Sequence, residues 1–133
     1  VDKGAVPADL RAADVGVAPL ADDEELAYAM PTKVYEYCCA GLPIVATGCG
    51  ELERFVDASG CGLLVANDPE SVGGAFAELA GDDAARAEYG RRGREFVAAN
   101  YDRAKIARTF SARLHALVED ADQPLVQDAT ARS

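Results

Sequence analysis

Short apolar runs alternate with amphipathic stretches along the first two thirds of the chain. Val15-Gly-Val-Ala-Pro-Leu20 follows Asp14 and is too short for a helix, so it predicts a strand buried on both faces. Pro43-Ile-Val-Ala-Thr47 and Gly62-Leu-Leu-Val-Ala66 read the same way. Between the first two runs, the spacing predicts a helix from about Thr32 to Ala40, closed by Gly41 as a left-handed residue, with Val34, Tyr37 and Cys38 toward the core. Glu51 to Ala58 predicts a short helix with Leu52, Phe55 and Val56 on one face. Upstream, Pro7 to Ala13 reads as a helix end. Residues 21–30 form a loop carrying Asp22, Asp23, Glu24 and Glu25, and loops of that length inside compact domains are often functional.

The rest of the chain is helical in pattern. Asn67-Asp68-Pro69-Glu70 puts a capping residue ahead of a proline at the first helical position, with acids near the positive end of the helix dipole. Val72, Ala75, Phe76 and Leu79 then recur at helical spacing up to Gly81. A further helix spans about Asp83 to Ala99, with Tyr89, Phe96 and Val97 as its apolar stripe. The last runs from about Asp102 to Val118 on Ile106, Phe110, Leu114 and Leu117. From about Asp120 the residues are polar and aperiodic, which predicts a disordered tail over 120–133 behind one domain over 1–119. Strands joined by crossover helices imply an α/β fold, a doubly wound, Rossmann-like parallel sheet with right-handed connections. Three strands are few for such a sheet, so it reads as partial, missing strands at its start.

Composition narrows the function. The chain has 133 residues, half of them hydrophobic, which suits one globular domain. Its formal charge of −10 argues against nucleic acid as a partner, because a phosphate backbone demands clustered cations. A nucleotide is still allowed, since backbone N–H groups and one basic residue can hold a diphosphate. Arginine dominates the basic residues, and Ala and Asp are abundant, a bias that suits a GC-rich or salt-loving source. No apolar run reaches the roughly 20 residues that span a bilayer, no secretory leader is visible, and the chain opens at Val1, as a piece of a longer protein would. Cys38, Cys39, Cys49 and Cys61 show no C-x-x-C spacing and the only histidine is His115. They predict small buried thiols in a reduced, cytoplasmic setting, with no metal site.

The candidate chemistry lies in residues 31–50. Thr32 is expected to cap its helix, leaving first-turn N–H groups open to an anion. Lys33 and Glu36 are three apart and share a face. A cation beside a positive helix end suits a diphosphate, and a carboxylate one turn on suits the vicinal hydroxyls of a ribose. The spacing fits equally well an ordinary surface pair worth about 0.2–0.5 kcal/mol. Gly48 and Gly50 come after the second strand, where a parallel sheet presents its ligand-binding edge, and they serve a plain turn as readily as a phosphate.

The run Pro31-Thr-Lys-Val-Tyr-Glu-Tyr-Cys-Cys-Ala-Gly-Leu-Pro-Ile-Val-Ala46 closely resembles the donor-binding segment of retaining GT-B glycosyltransferases of family 4, the glycosyl transferases group 1. The likeness continues through Gly50-Glu-Leu-Glu-Arg-Phe-Val56, the Gly60-Cys-Gly-Leu-Leu-Val65 strand and Asp68-Pro-Glu70, and spans roughly residues 8 to 118. The resemblance implies sugar transfer from a UDP- or GDP-sugar to a glycan or lipid-linked acceptor, without a metal cofactor. It implies that Glu36 is the second glutamate of the family's E-x7-E motif and contacts the donor ribose. Thr32 and Lys33 lie by the diphosphate in that reading, and Gly48 and Gly50 line the same cleft.

The chain also departs from the family pattern. The first glutamate of the motif falls at Tyr28, and Glu24 and Glu25 are too early to replace it. The acceptor domain and the first half of the donor domain, with its basic Arg and Lys, have no counterpart here. Through that acceptor domain the full-length enzyme is expected to associate peripherally with membranes. The isolated chain is therefore expected not to turn over, because the leaving phosphate loses its main electrostatic stabilisation. The resemblance further implies that the last helix packs on the missing acceptor domain, leaving its Ile106 and Phe110 stripe partly exposed. The alternative is a non-catalytic GT-B remnant acting as a nucleotide-binding or interaction module; a GT-B epimerase fits less well. A phospho-receiver-like domain is disfavoured because strand 43–47 ends without an aspartate.

Overall fold

A computed structural model describes residues 6–121. The predicted tail from residue 122 onward lies outside the described residues. The elements are α1 (Val6–Ala12), β1 (Gly16–Pro19), a 3-10 turn (Glu24–Leu26), α2 (Thr32–Cys39), β2 (Ile44–Thr47), α3 (Glu51–Ser59), β3 (Gly62–Leu64), α4 (Pro69–Ala80), α5 (Asp83–Asn100) and α6 (Arg103–Ala121). The strands form one parallel sheet in the order β1-β2-β3, with Pro19 opposite Thr47 and Ile44 opposite Gly62. The α/β class and the parallel sheet agree with the pattern of apolar runs, although each strand is shorter than its run. None of the described helices is long and apolar enough to cross a membrane.

The central strand is covered on both faces. Ile44 and Ala46 point into a core with Val34 and Cys38 of α2 and Leu52, Phe55 and Val56 of α3. Val45 points the other way, into a smaller cluster with Ala75 and Leu79 of α4. This alternation within an all-apolar strand is what a doubly wound sheet requires. Tyr35, Phe55 and Phe96 stitch α2, α3 and α5 through edge-to-face contacts with centroids 5.5 Å apart.

Helix α2 ends in a Schellman motif. The Gly41 N–H donates to the Cys38 carbonyl and the Leu42 N–H to the Tyr37 carbonyl, both at 3.0 Å, with Gly41 at φ +73. That turn drops the chain directly into β2. At the start of α4, the Asp68 carboxylate accepts from the Ser71 N–H at 2.7 Å, with Pro69 beginning the helix as predicted.

Helix α5 keeps the expected stripe against the core, with Phe96 and Tyr89 packed on its edges, and adds two buried glycines to it. Its buried residues are Gly90, Gly93 and Val97, while Tyr89 and Phe96 are half-buried. A Cβ on Gly90 would lie 2.0 Å from the Gly41 carbonyl oxygen, and one on Gly93 would lie 2.9 Å from the Cys61 Cβ and 3.1 Å from the Cys38 Sγ. Two missing side chains let the α5 backbone settle onto the turn after α2. On its outer side, Glu88 accepts from Arg91 and Arg92, and Arg91 also reaches Glu95.

Chain contacts divide the protein into two compact units, Val1–Ala99 and Asn100–Ser133. In the second, α6 continues through residues 120 and 121, past the predicted start of the tail. Ile106, Phe110, Leu114, Leu117 and Val118 are exposed along it, and His115 is exposed with Nδ1 2.8 Å from the Ser111 carbonyl.

Candidate functional site

The carboxyl ends of β1 and β2 lie side by side, and the chain leaves both of them into the segments that sequence patterning singles out. After β1 come residues 21–31 and the start of α2; after β2 come Gly48 to Gly50 and the start of α3. Thr32, Lys33, Gly48 and Gly50 are thus placed at one edge of the sheet, with Glu36 one helical turn further along α2.

The start of α2 differs from expectation in one detail. Thr32 is not the cap but the first helical residue; Pro31 occupies the cap position at φ −62, ψ 125, and no side chain bonds there. The pyrrolidine ring fixes φ near the value a cap residue adopts in its extended conformation, so proline serves and the threonine is shifted one place inward. The consequence favours ligand binding more than a threonine cap would. The Val34 N–H is turned back to the Pro31 carbonyl at 3.1 Å, while the N–H groups of Thr32 and Lys33 have no acceptor within the helix. Thr32 and Glu36 are exposed and Lys33 is half-buried. Among the described residues, Lys33 and Glu36 form no salt bridge with each other, so the surface-pair reading is not realised.

Both glycines after β2 are required by the backbone. Gly48 has φ +125 and would place a Cβ 2.9 Å from the Leu20 Cβ; Gly50 has φ +72 and would place one 2.0 Å from the Ala27 carbonyl oxygen. That carbonyl accepts the Glu51 N–H at 2.7 Å. The first free amide of α3 is therefore spent on the facing loop. Gly48 and Gly50 are explained by this close approach whether or not a phosphate also sits there.

The loop of residues 21–30 is ordered by the Asp23 side chain and by backbone bonds of its own turn. The Asp23 carboxylate accepts from the Glu25 N–H at 3.0 Å and starts the 3-10 turn. Cys49, between the two glycines, is half-buried and donates to the Asp23 carbonyl at 3.8 Å. Its thiol is pushed up from the usual value, by a hydrogen bond to Asp22 first, then by burial and by the charges of Asp22, Glu53 and Asp23. Arg54 is paired with Glu51 at 2.6 Å. Tyr28, in the position of the family's first glutamate, is 84% exposed.

Cys38 and Cys61 are buried as predicted, whereas Cys39 is exposed, so the expectation of four buried thiols holds for two of them. The Cys38 thiol is raised by its hydrogen bond to Cys61 and by burial, which keeps it protonated and inert. Among the described residues, no group of three His, Cys, Asp or Glu side chains could hold a metal ion.

Sequence patterning does not single out Thr47. It ends an apolar run, is 2% exposed, and its hydroxyl bridges strands: Oγ1 accepts from the Leu20 N–H at 3.0 Å and donates to the Leu20 carbonyl at 2.9 Å. A polar residue closing a buried strand is the one signal that could have found it.

An open helix start with a half-buried lysine and a carboxylate one turn on is an arrangement that can hold a phosphate and a hydroxyl pair together. The comparisons with known proteins bear on the family and the fold. Residues 1–82 match the family model of the glycosyl transferases group 1. Among solved structures, sucrose-phosphate synthase from Thermosynechococcus elongatus is similar at 26% identity with a TM-score of 0.73, over 84% of this chain and 27% of that one. The chain thus spans about a quarter of that structure's length, and its partial parallel sheet matches the GT-B glycosyltransferase fold. No curated protein matches it. With a family match over more than half of its residues, the chain belongs to the glycosyl transferases group 1.

Proposed function

We propose that this chain holds the nucleoside-diphosphate end of an activated sugar, as the donor-side portion of a retaining glycosyltransferase. The observation that carries the reading is the start of α2, where the Thr32 and Lys33 amides have no helical acceptor and Lys33 has no carboxylate partner among the described residues. In this reading the diphosphate accepts hydrogen bonds from those amides and from the Lys33 ammonium. Glu36, one turn on, accepts from the ribose hydroxyls. As the bond from the sugar to the diphosphate breaks, negative charge grows on the leaving oxygen, and a helix start with its lysine is preorganised for that charge. The donor is a UDP- or GDP-sugar and the acceptor a glycan or lipid-linked glycan, in the cytoplasm, with no metal required. The acceptor site and any further phosphate-binding cations belong to the remainder of the enzyme, so this chain binds donor without turning it over.

Calorimetric titration with UDP and GDP tests the proposal. One of the two is expected to bind in the millimolar range, and Glu36→Ala is expected to weaken it about tenfold, the worth of hydrogen bonds to a charged acceptor. Equal affinity in wild type and Glu36→Ala would remove the ribose role. A second reading, an interaction module without catalysis, is favoured by the exposed Phe110 and Leu117 on α6.

A further inference from the structure

We infer that Thr47 is a positioning residue for donor binding: its buried hydroxyl ties together the two segments that frame the site. This rests on the proposed donor reading and adds a residue that no ligand touches. The two segments leave neighbouring strands, β1 at Leu20 and β2 at Gly48, and neither is held there by a long sheet, since both strands are four residues. Ladder pairing ends at Pro19 and Thr47. Beyond that point, the Leu20 N–H is shared between the Thr47 carbonyl at 3.1 Å and the Thr47 hydroxyl at 3.0 Å, and the same hydroxyl returns a hydrogen bond to the Leu20 carbonyl at 2.9 Å. One side chain extends the ladder by a residue on the side facing the site.

The geometry further out depends on that extension. With Leu20 fixed, its side chain closes over Gly48, which has no room for a Cβ, and Gly48 takes its positive φ. The next contacts repeat the motif outward: Cys49 donates to the Asp23 carbonyl, and Glu51 donates to the Ala27 carbonyl against Gly50. The two segments therefore behave as one laced unit rooted at Thr47, and α2 begins five residues after Ala27. A loop anchored at both ends by main-chain hydrogen bonds presents its amides in one geometry, and ligand affinity rises when that ordering is already made. Thr47 is 2% exposed and cannot itself reach a ligand, so its influence is through Leu20 and Gly48 alone.

The test compares Thr47→Val, which keeps the shape and removes both hydroxyl bonds, with Thr47→Ser, which keeps the hydroxyl and removes a methyl. UDP and GDP affinities are measured for each variant below its unfolding transition, together with hydrogen exchange at the amides of Leu20 and Glu51, which carry the bonds between the two segments. A positioning role predicts about a fivefold or greater loss of nucleotide affinity in Thr47→Val, recovery to within about twofold of wild type in Thr47→Ser, and faster exchange in Thr47→Val confined to those amides, from the loss of one or two net hydrogen bonds. If Thr47→Val binds as wild type does, or if both variants lose affinity together in step with their stability, Thr47 is only a core residue. If wild type itself binds neither nucleotide, the donor reading fails and the positioning role fails with it.

Discussion

Replacing helical glycines by alanine should change sign from one position to the next, and the structure says where. Gly73 and Gly74 lie in the interior of α4 with open space where a Cβ would go. There the substitution removes backbone freedom from the unfolded chain and meets nothing in the folded one, so each is expected to stabilise by about 0.5–1 kcal/mol. Gly90 lies in α5 with the Gly41 carbonyl oxygen 2.0 Å from the same point. An ordinary contact needs roughly 3.2 Å, so α5 must lift by about 1 Å, against backbone that cannot rotate away. Lifting α5 also loosens Val97 and the contact of Gly93 with Cys38 and Cys61. Overpacking of this kind costs about 1–3 kcal/mol, and at the upper end where backbone meets backbone; subtracting the helix gain leaves a net loss of about 2 kcal/mol. Urea unfolding of the three single variants measures it, and in heat the shifts correspond to about 3–5 °C per kcal/mol for a chain of 133 residues. If Gly90→Ala stabilised as Gly73→Ala does, α5 would not be seated on the turn after α2, and the core described above would be wrong.

Three further outcomes are expected. Gly50→Ala meets both a positive φ and the Ala27 carbonyl, so it should part the two site segments and abolish nucleotide binding while leaving the α4–α5 region folded, as seen by amide exchange. Asp68→Ala removes the cap of α4 and should cost about 1 kcal/mol in urea unfolding, with Asp68→Asn recovering most of it. Glu88 is held down to about 2, by hydrogen bonds from Arg91 and then Arg92, below its ordinary 4.5. A depressed carboxylate contributes stability that is complete above pH 4.5 and fades as pH falls from there toward 2; an NMR titration should place its midpoint near the lower figure, moving upward in high salt as the exposed pair is screened.

How much of the structure is legible in the sequence depends on which residues carry a local signal. Helix α2 is readable because its ends are punctuated, by Pro31 and by Gly41, and because Val34 and Cys38 keep helical spacing between them. Sequence places its cap one residue late, since threonine is the commoner cap and proline's fit to the position depends on ψ. The buried face of α5 is readable only in part: Val97, Phe96 and Tyr89 carry the apolar signal and do pack on the core, whereas Gly90 and Gly93 add nothing to a hydrophobic stripe and are seen only in the structure. Thr47 is hidden for a different reason. Its partner Leu20 is 27 residues away, and only the strand register, Pro19 opposite Thr47, brings them together. Spacing puts Lys33 and Glu36 on one face, but whether they pair with each other is a matter of rotamers that spacing does not determine.

The measurement that bears most directly on the donor site is a titration of the isotope-labelled chain with UDP, GDP and their sugar conjugates, followed amide by amide. Donor binding at the start of α2 predicts shifts concentrated at Thr32, Lys33 and Glu36, extending to Gly48 and Gly50, with one base preferred. Shifts clustered elsewhere, or none at millimolar ligand in a chain that remains folded, would contradict it.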